Sequence, residues 1–479
     1  MQRTAEQIEQ AELRPTSGMN RAAEEIEKDL LRPIFTSSIK YKVAVALSGG
    51  LVLAGVAAFA YQLYTGIGVW GLNSPVFWAF DITSFVFWIG ISHAGTLISA
   101  ILRLCHAEWR RPVTRCAEAI TVFALIIGGI VPLCHIGRPW LGYWMIPYPS
   151  ERLIWPNFRS PLMWDCFAIF TYLTGSTTFL YLPTIPDFAA VRDASRGLRK
   201  RIYSVLALGW QGTPRQWQRL ETAMHIMAIA IVPVAVSVHT IVSWDFSMTL
   251  VPMWHTTIFG PYFVVGAIFS GIAALILAMA LLRRFLHLEA YLKPIHFDNL
   301  GKLLLTFSLL WFYFVFYEFL TTWYGNAPPE MTVLRENISQ HFAPLFWIMV
   351  FCNFLLPVPL LSRKKLRTIT GTAIASCTVV VGMWLERFLI IVPALDRKFL
   401  SFSWGSYRPT WVEDTLMASG FGMMALLYLL FSKAVPMISI WEMKVGLQPH
   451  GGGIVTTVSA IHQPNAMVLE GPLPADEPE

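Results

Sequence analysis

Charge is scarce in this chain. Asp, Glu, Lys and Arg supply 14% of its 479 residues, where a soluble protein carries about a quarter. With 55% hydrophobic residues and a mean hydropathy of +0.52, this excludes an ordinary soluble globule. Cysteine is sparse too. The six, at 105, 116, 134, 166, 352 and 377, form no CxxC and no tight cluster, which excludes an iron–sulfur or zinc site built by this chain alone. Most read as small apolar helix residues. Binding motifs for flavin and nicotinamide are missing as well. The first forty residues mix charges of both signs (RAAEEIEKDLLRP), unlike a cleavable signal peptide. The net charge of +6 belongs to basic loops and gives no reason to expect nucleic acid as a partner.

What the chain has in abundance is apolar runs of bilayer-spanning length, about 20 residues each. They predict an all-α integral membrane protein of about ten spans, near 43–65, 76–104, 114–134, 161–182, 224–245, 258–282, 299–323, 344–361, 367–391 and 412–432. Alternate loops differ in charge. HAEWRRPVTR, RDASRGLRKR, RRFLHLEAYLK and SRKKLR are basic, while TGIGVWGLNS, WDFSMTLVPMWHTT and GNAPPEMTVLRENIS hold few basic residues. The positive-inside rule then puts the basic loops and both termini in the cytoplasm. The expected organisation is a cytoplasmic segment 1–42, a first span with its outer loop 43–75, and a four-helix bundle 76–245. A second four-helix bundle follows at 258–391, then a last helix and cytoplasmic exit at 412–445. One flanking span lies on either side of the bundle pair. The Gly- and Pro-rich tail 446–479 reads as an extended arm.

Ionisable residues inside spans are costly and mark candidate sites. Here they gather toward the non-cytoplasmic ends: Asp81, His135, Asp165, Asp245, Glu318, Glu386 and Arg387. The stretch PLCHIGRPWLGYWMIPYPSERLIWPNFRSPLMWDC joins two spans, and His135 and Asp165 flank its loop, so both are expected to face one cavity. A carboxylate, an imidazole and an arginine beneath aromatic residues suit oxidation of a quinol, whose two protons need acceptors near neutral pKa. Trp140, Tyr143, Trp144, Trp155, Phe158 and Trp164 could wall the ring or form an interfacial belt. Electrons would leave through a partner subunit docked on the 135–160 loop. A rival reading is haem b. His225 and His239 lie fourteen residues apart on one helix, about 21 Å along its axis, and His93 and His106 are the candidates for the opposite ligands.

HIGRPW, RSPLMWD, FWIGISHAGTLISAILRL, LPTIPDFAAVRD, LALGWQGTPRQW, SVHTIVSWDF and WHTTIFGPYFVVGAIFSG together resemble the NrfD/polysulfide-reductase membrane-subunit family. The likeness is greatest to its ActC type in bacterial alternative complex III. It is dense from about 75 to 325 and looser to about 440. It implies a subunit binding menaquinol or a related quinol near the periplasmic side, in a respiratory or photosynthetic quinol:acceptor oxidoreductase. Partners would be c-type haem subunits, an iron–sulfur subunit and a paralogous membrane subunit, in the bacterial inner membrane. The resemblance implies His135 and Asp165 as the catalytic residues, with Asp245 and Arg387 at the quinol, and Arg138 and Trp164 beside them. Proton translocation is discussed for the family; Asp81, His93, His106, Glu118, Glu221, His225, His239, Glu318 and Glu386 are the candidates for a route. No metal site and no covalent cofactor are expected in this chain. The alternative is a haem b-bearing or ion-conducting anchor with no quinol site.

Overall fold

The computed structural model describes residues 21–146 and 158–447. Helices follow one another along the chain: α1 (21–35), α2 (Ile39–Thr65), α3 (Phe80–Leu104), α4 (Thr114–His135), α5 (Pro161–Tyr181), α6 (Ile185–Asp193), α7 (Gly197–Leu206) and α8 (Pro214–Ser247). Then come α9 (Phe259–Phe285), α10 (Pro294–Gly325), α11 (Pro328–Ile338), α12 (Ala343–Val350), α13 (Pro357–Ser362), α14 (Ile369–Asp396), α15 (Trp411–Ala434) and α16 (Ile440–Val445). Among the described residues, nine segments are long and apolar enough to cross a membrane: α2, α3, α4, α8, α9, α10, the run Ala343–Ser362, α14 and α15. The remaining expected span, α5, has 21 residues, about 32 Å of helix, which is enough to cross. Its Asp165 and its run of Thr, Ser and Tyr residues leave it less apolar than the others.

The ends of these helices follow from local chemistry. Ser38 and Thr368 accept backbone N–H bonds at the starts of α2 and α14, and Thr410 with Glu413 forms a capping box on α15, each satisfying donors a helix start leaves open. Proline opens α5, α10 and α11, where its missing N–H costs nothing. Pro357 acts differently. It cannot bond the carbonyl four residues back, and the run Ala343–Ser362 is interrupted there by a π turn at Phe351–Leu355. The freed Asn353 carbonyl accepts the Ser308 hydroxyl at 2.6 Å, the kind of substitution that makes a broken helix tolerable in lipid.

Two compact units emerge. The larger comprises Pro33–Leu182 and Met224–Ile438, which takes in 258–391 and, of 76–245, all but 183–223. Its centre is α3, 89% of whose apolar window is buried, against 17% for α2. Small residues allow the close crossings usual between membrane helices. A Cβ on Gly95 would collide with the Ala117 carbonyl of α4, and one on Gly271 of α9 would collide with the Ala94 side chain of α3. The first and last spans, α2 and α15, pack on each other, with Gly55 against Ser419 and Gly422 against Leu51.

The smaller unit holds Met1–Arg32, Pro183–Ala223 and Ser439–Glu479. In its described part, the Trp441 indole donates to the Pro183 carbonyl at 3.0 Å. Asp187 accepts the Ile440 amide, Lys444 pairs with Glu27, and Trp217 packs its ring on Trp210 and Trp441. The expected C-terminal arm lies, but for its first two residues, outside the described residues, as do Glu151, Arg152 and Trp155 of the loop after α4.

Candidate functional site

α3 and α4 run antiparallel, and this brings the first turn of one to the last turn of the other. There His135 pairs through Nδ1 with the Asp81 carboxylate. Asp81 is buried, and its other oxygen accepts the Ala79 amide at 3.4 Å. The Trp70 ring centre stands 6.3 Å from that of His135. A fully buried Gln62 on α2 ties the corner together: its amide donates to the Cys134 carbonyl at 2.7 Å, and its carbonyl accepts the Trp70 indole N–H at 3.1 Å. Beside this pair lies a cavity bounded by α3, α4 and α15, with Trp70, Phe80, Asp81, Trp88 and Glu413 in its walls. Glu413 is fully engaged, accepting the Gly71 and Thr410 amides and the Tyr407 and Thr410 hydroxyls. Burial, with Glu413 beside it, pushes the Tyr407 hydroxyl above its ordinary pKa, so it serves as a lasting donor.

Asp165 has a different neighbour. At the start of α5 it lies beside Asp245 at the end of α8, close enough for each charge to be felt by the other. Both are buried, and one oxygen of each makes no hydrogen bond among the described residues. His135 is thus paired with Asp81, and Asp165 with Asp245; the walls of the cavity beside the first pair include Asp81 and Cys134 but neither His135 nor Asp165. Trp164 is a connector: its indole donates to the Phe158 carbonyl at 2.7 Å and its ring meets Trp244. Arg138, Trp140, Tyr143, Trp144 and Phe158 are exposed, as an interfacial belt or docking surface would be, and do not wall the cavity.

A third group occupies α9, α10 and α14. Arg387 lies 4.5 Å over the Phe263 ring, in space that Gly266 leaves open, and pairs with Glu386 at 3.3 Å. Glu386 also accepts the Trp311 indole at 3.0 Å, and Glu318 accepts the Thr256 hydroxyl at 3.2 Å. Both acids border a second cavity, with Trp254, Phe259, Tyr262 and Asn337. Deeper in, His93 stacks on Tyr172 and meets His239, each at 4.6 Å between ring centres. His93 Nδ1 lies 2.6 Å from the Ile89 carbonyl, which makes it the protonated nitrogen. Glu118 accepts the Ser99 hydroxyl at 2.6 Å. Glu221, His225 and His106 are exposed.

His93 and His239 do not fit the two axial positions of one haem. Axial imidazoles on one iron are separated by two metal–nitrogen bonds of about 2 Å each plus the inner radius of both rings. His93 and His239, at 4.6 Å, leave no room for a porphyrin between them. Among the described residues no group of His, Cys, Asp and Glu has the arrangement of a metal site.

The family model described as polysulphide reductase, NrfD, matches residues 68–397. The chain belongs to the NrfD family. Within the matched stretch of this NrfD-family protein lie Trp70, Asp81, His135, Asp165, Asp245 and Arg387, whereas Gln62 and Glu413 lie outside it. The chain is 26% identical over 353 residues to a protein of Halobacterium salinarum named provisionally as a membrane subunit of dimethyl sulfoxide reductase, covering 72% of this chain and 76% of that one. It is 24% identical over 421 residues to a selenate reductase subunit of Mesobacillus selenatarsenatis, with 84% and 95% coverage. It is 25% identical over 357 residues to the Hdr-like menaquinol oxidoreductase integral membrane subunit of Archaeoglobus fulgidus, with 72% and 78% coverage. It is thus similar to subunits of redox complexes, two of them named as membrane subunits.

Sequence reasoning placed Asp81 in the outer polar layer and on a proton route, not beside His135, and passed over Gln62, Trp70 and Tyr407. A buried glutamine in an otherwise apolar span was the available signal for Gln62, since a polar group in lipid requires partners.

Proposed function

We propose that this chain is the quinol-oxidising membrane subunit of a multi-subunit oxidoreductase of the alternative complex III type, taking menaquinol or a related quinol at the outer face of the bacterial inner membrane. The observation that carries the proposal is the Asp81–His135 pair set against a cavity walled by Trp70, Phe80 and Trp88. Quinol oxidation yields a quinone, two protons and two electrons. His135 accepts one hydroxyl proton, and Asp81 orients the imidazole and stabilises its charged form. The Asp165–Asp245 pair is a place to hold the second proton. Both electrons leave to an iron–sulfur partner docked near the loop after α4, and onward to c-type haem subunits. A relative named as a menaquinol oxidoreductase subunit supports the choice of quinol. Onward proton movement would pass the His93–His239 pair, with both termini in the cytoplasm.

The test is made in the assembled complex. Asp81→Asn and His135→Phe are each expected to lower the quinol oxidation rate by about a hundredfold or more with the complex intact. Near-normal turnover in either variant would remove that residue from the mechanism.

A further inference from the structure

In the smaller unit, α7 carries two faces. Tyr203 and Ala207 are buried, and Tyr203 packs on Phe188 of α6 with ring centres 5.9 Å apart. On the other side Leu198, Ile202 and Val205 are 73%, 50% and 73% exposed. Their spacing of four and then three residues makes them one stripe on a helix. The flanks are basic: Arg196, Lys200 and Arg201 are exposed, Arg199 lies 5.9 Å over Tyr203, and from 196 to 206 there is no acid. This segment lies in the chain between α5, which ends at Tyr181, and α8, which starts at Pro214, and so connects two spans.

An exposed apolar stripe bordered by Arg199 and Arg201, with Arg196 and Lys200 in the same segment, is not what water favours. It is the pattern of a helix lying in the plane of the bilayer surface, with its apolar side at the acyl boundary and its cations at the headgroups. We propose that α7 is an in-plane membrane anchor, with Leu198, Ile202 and Val205 in the acyl boundary and Arg196, Lys200 and Arg201 on the phosphates of anionic phospholipid. Charge complementarity decides the occupant: a polybasic helix gains attraction from every anionic lipid beneath it, while an apolar protein partner would leave the cations unmatched. This inference is independent of the quinol reading.

The test uses the full complex in lipid nanodiscs, with the exposed Cys105 and Cys377 replaced by Ser. One nitroxide label at a time is placed through Ile202→Cys, Val205→Cys or Ser204→Cys. In discs of phosphatidylcholine with phosphatidylglycerol, labels at 202 and 205 are expected to favour collision with oxygen over a polar nickel chelate several-fold more than the label at 204. Nickel preference at 202 and 205 would mean water and overturn the proposal, as would low collision with both reagents, which would mean protein cover. The variant Arg196→Gln/Lys200→Gln/Arg201→Gln is expected to reduce the oxygen preference several-fold, to the value found in discs of phosphatidylcholine alone. No change in that variant would overturn the assignment of anionic headgroups.

Discussion

Asp165 and Asp245 set a demanding electrostatic problem, because two carboxyl groups are buried side by side with an oxygen of each lacking a hydrogen bond among the described residues. Groups this close act as one titrating unit, so their substitutions should couple. Asp165→Asn and Asp245→Asn are each expected to slow quinol oxidation by about tenfold or more, and the double variant should be little slower than the worse single one. Rates that multiply in the double variant would show two independent roles. The same residues show what the sequence could reveal. The ionisable residues were visible one by one, because charge in a greasy chain stands out. Their pairing was not. His135 and Asp165 are joined by one loop, which made them natural partners, yet His135 meets Asp81, a residue 54 positions earlier, because the antiparallel crossing of α3 and α4 returns the chain to the same level.

At the scale of elements, apolar length alone was enough to find nearly every span, since no shorter structure satisfies its backbone in lipid. Two details escaped. α5 is only moderately apolar, and the run Ala343–Ser362 is interrupted by a π turn that its length does not announce, although Pro357 marks the place. The repair of that interruption is testable. Ser308→Ala removes the hydroxyl that caps the Asn353 carbonyl, and an interhelical bond of this kind in a membrane contributes about 0.6–2 kcal/mol. The complex should lose thermal stability by that order while its quinol KM stays unchanged. An unaltered melting temperature would mean that water replaces the serine. A second element-scale test is the crossing of α3 and α4: Gly95→Val places side-chain carbon against the Ala117 backbone and should abolish assembly, because backbone cannot yield as a flexible side chain does.

On the scale of the whole molecule, the cavity beside His135 is not closed by the family stretch alone. Residues 68–397 supply Trp70, Phe80, Asp81, Trp88 and the α4 wall, whereas α15 contributes Glu413 through Met423 and α2 contributes the Gln62 tie. The residues proposed to take protons thus lie in the family stretch, and part of the wall of the cavity is set by the last span, which packs on the first. This division predicts separable effects. Gln62→Leu frees the Trp70 indole and the Cys134 carbonyl but leaves the Asp81–His135 pair in place. It should therefore raise the quinol KM several-fold with a smaller fall in kcat. Loss of ground-state and transition-state contacts together is what raises KM while kcat holds. An equal fall in kcat and kcat/KM would instead show that Gln62 positions His135 through the last turn of α4, and would join the flanking span to the chemistry.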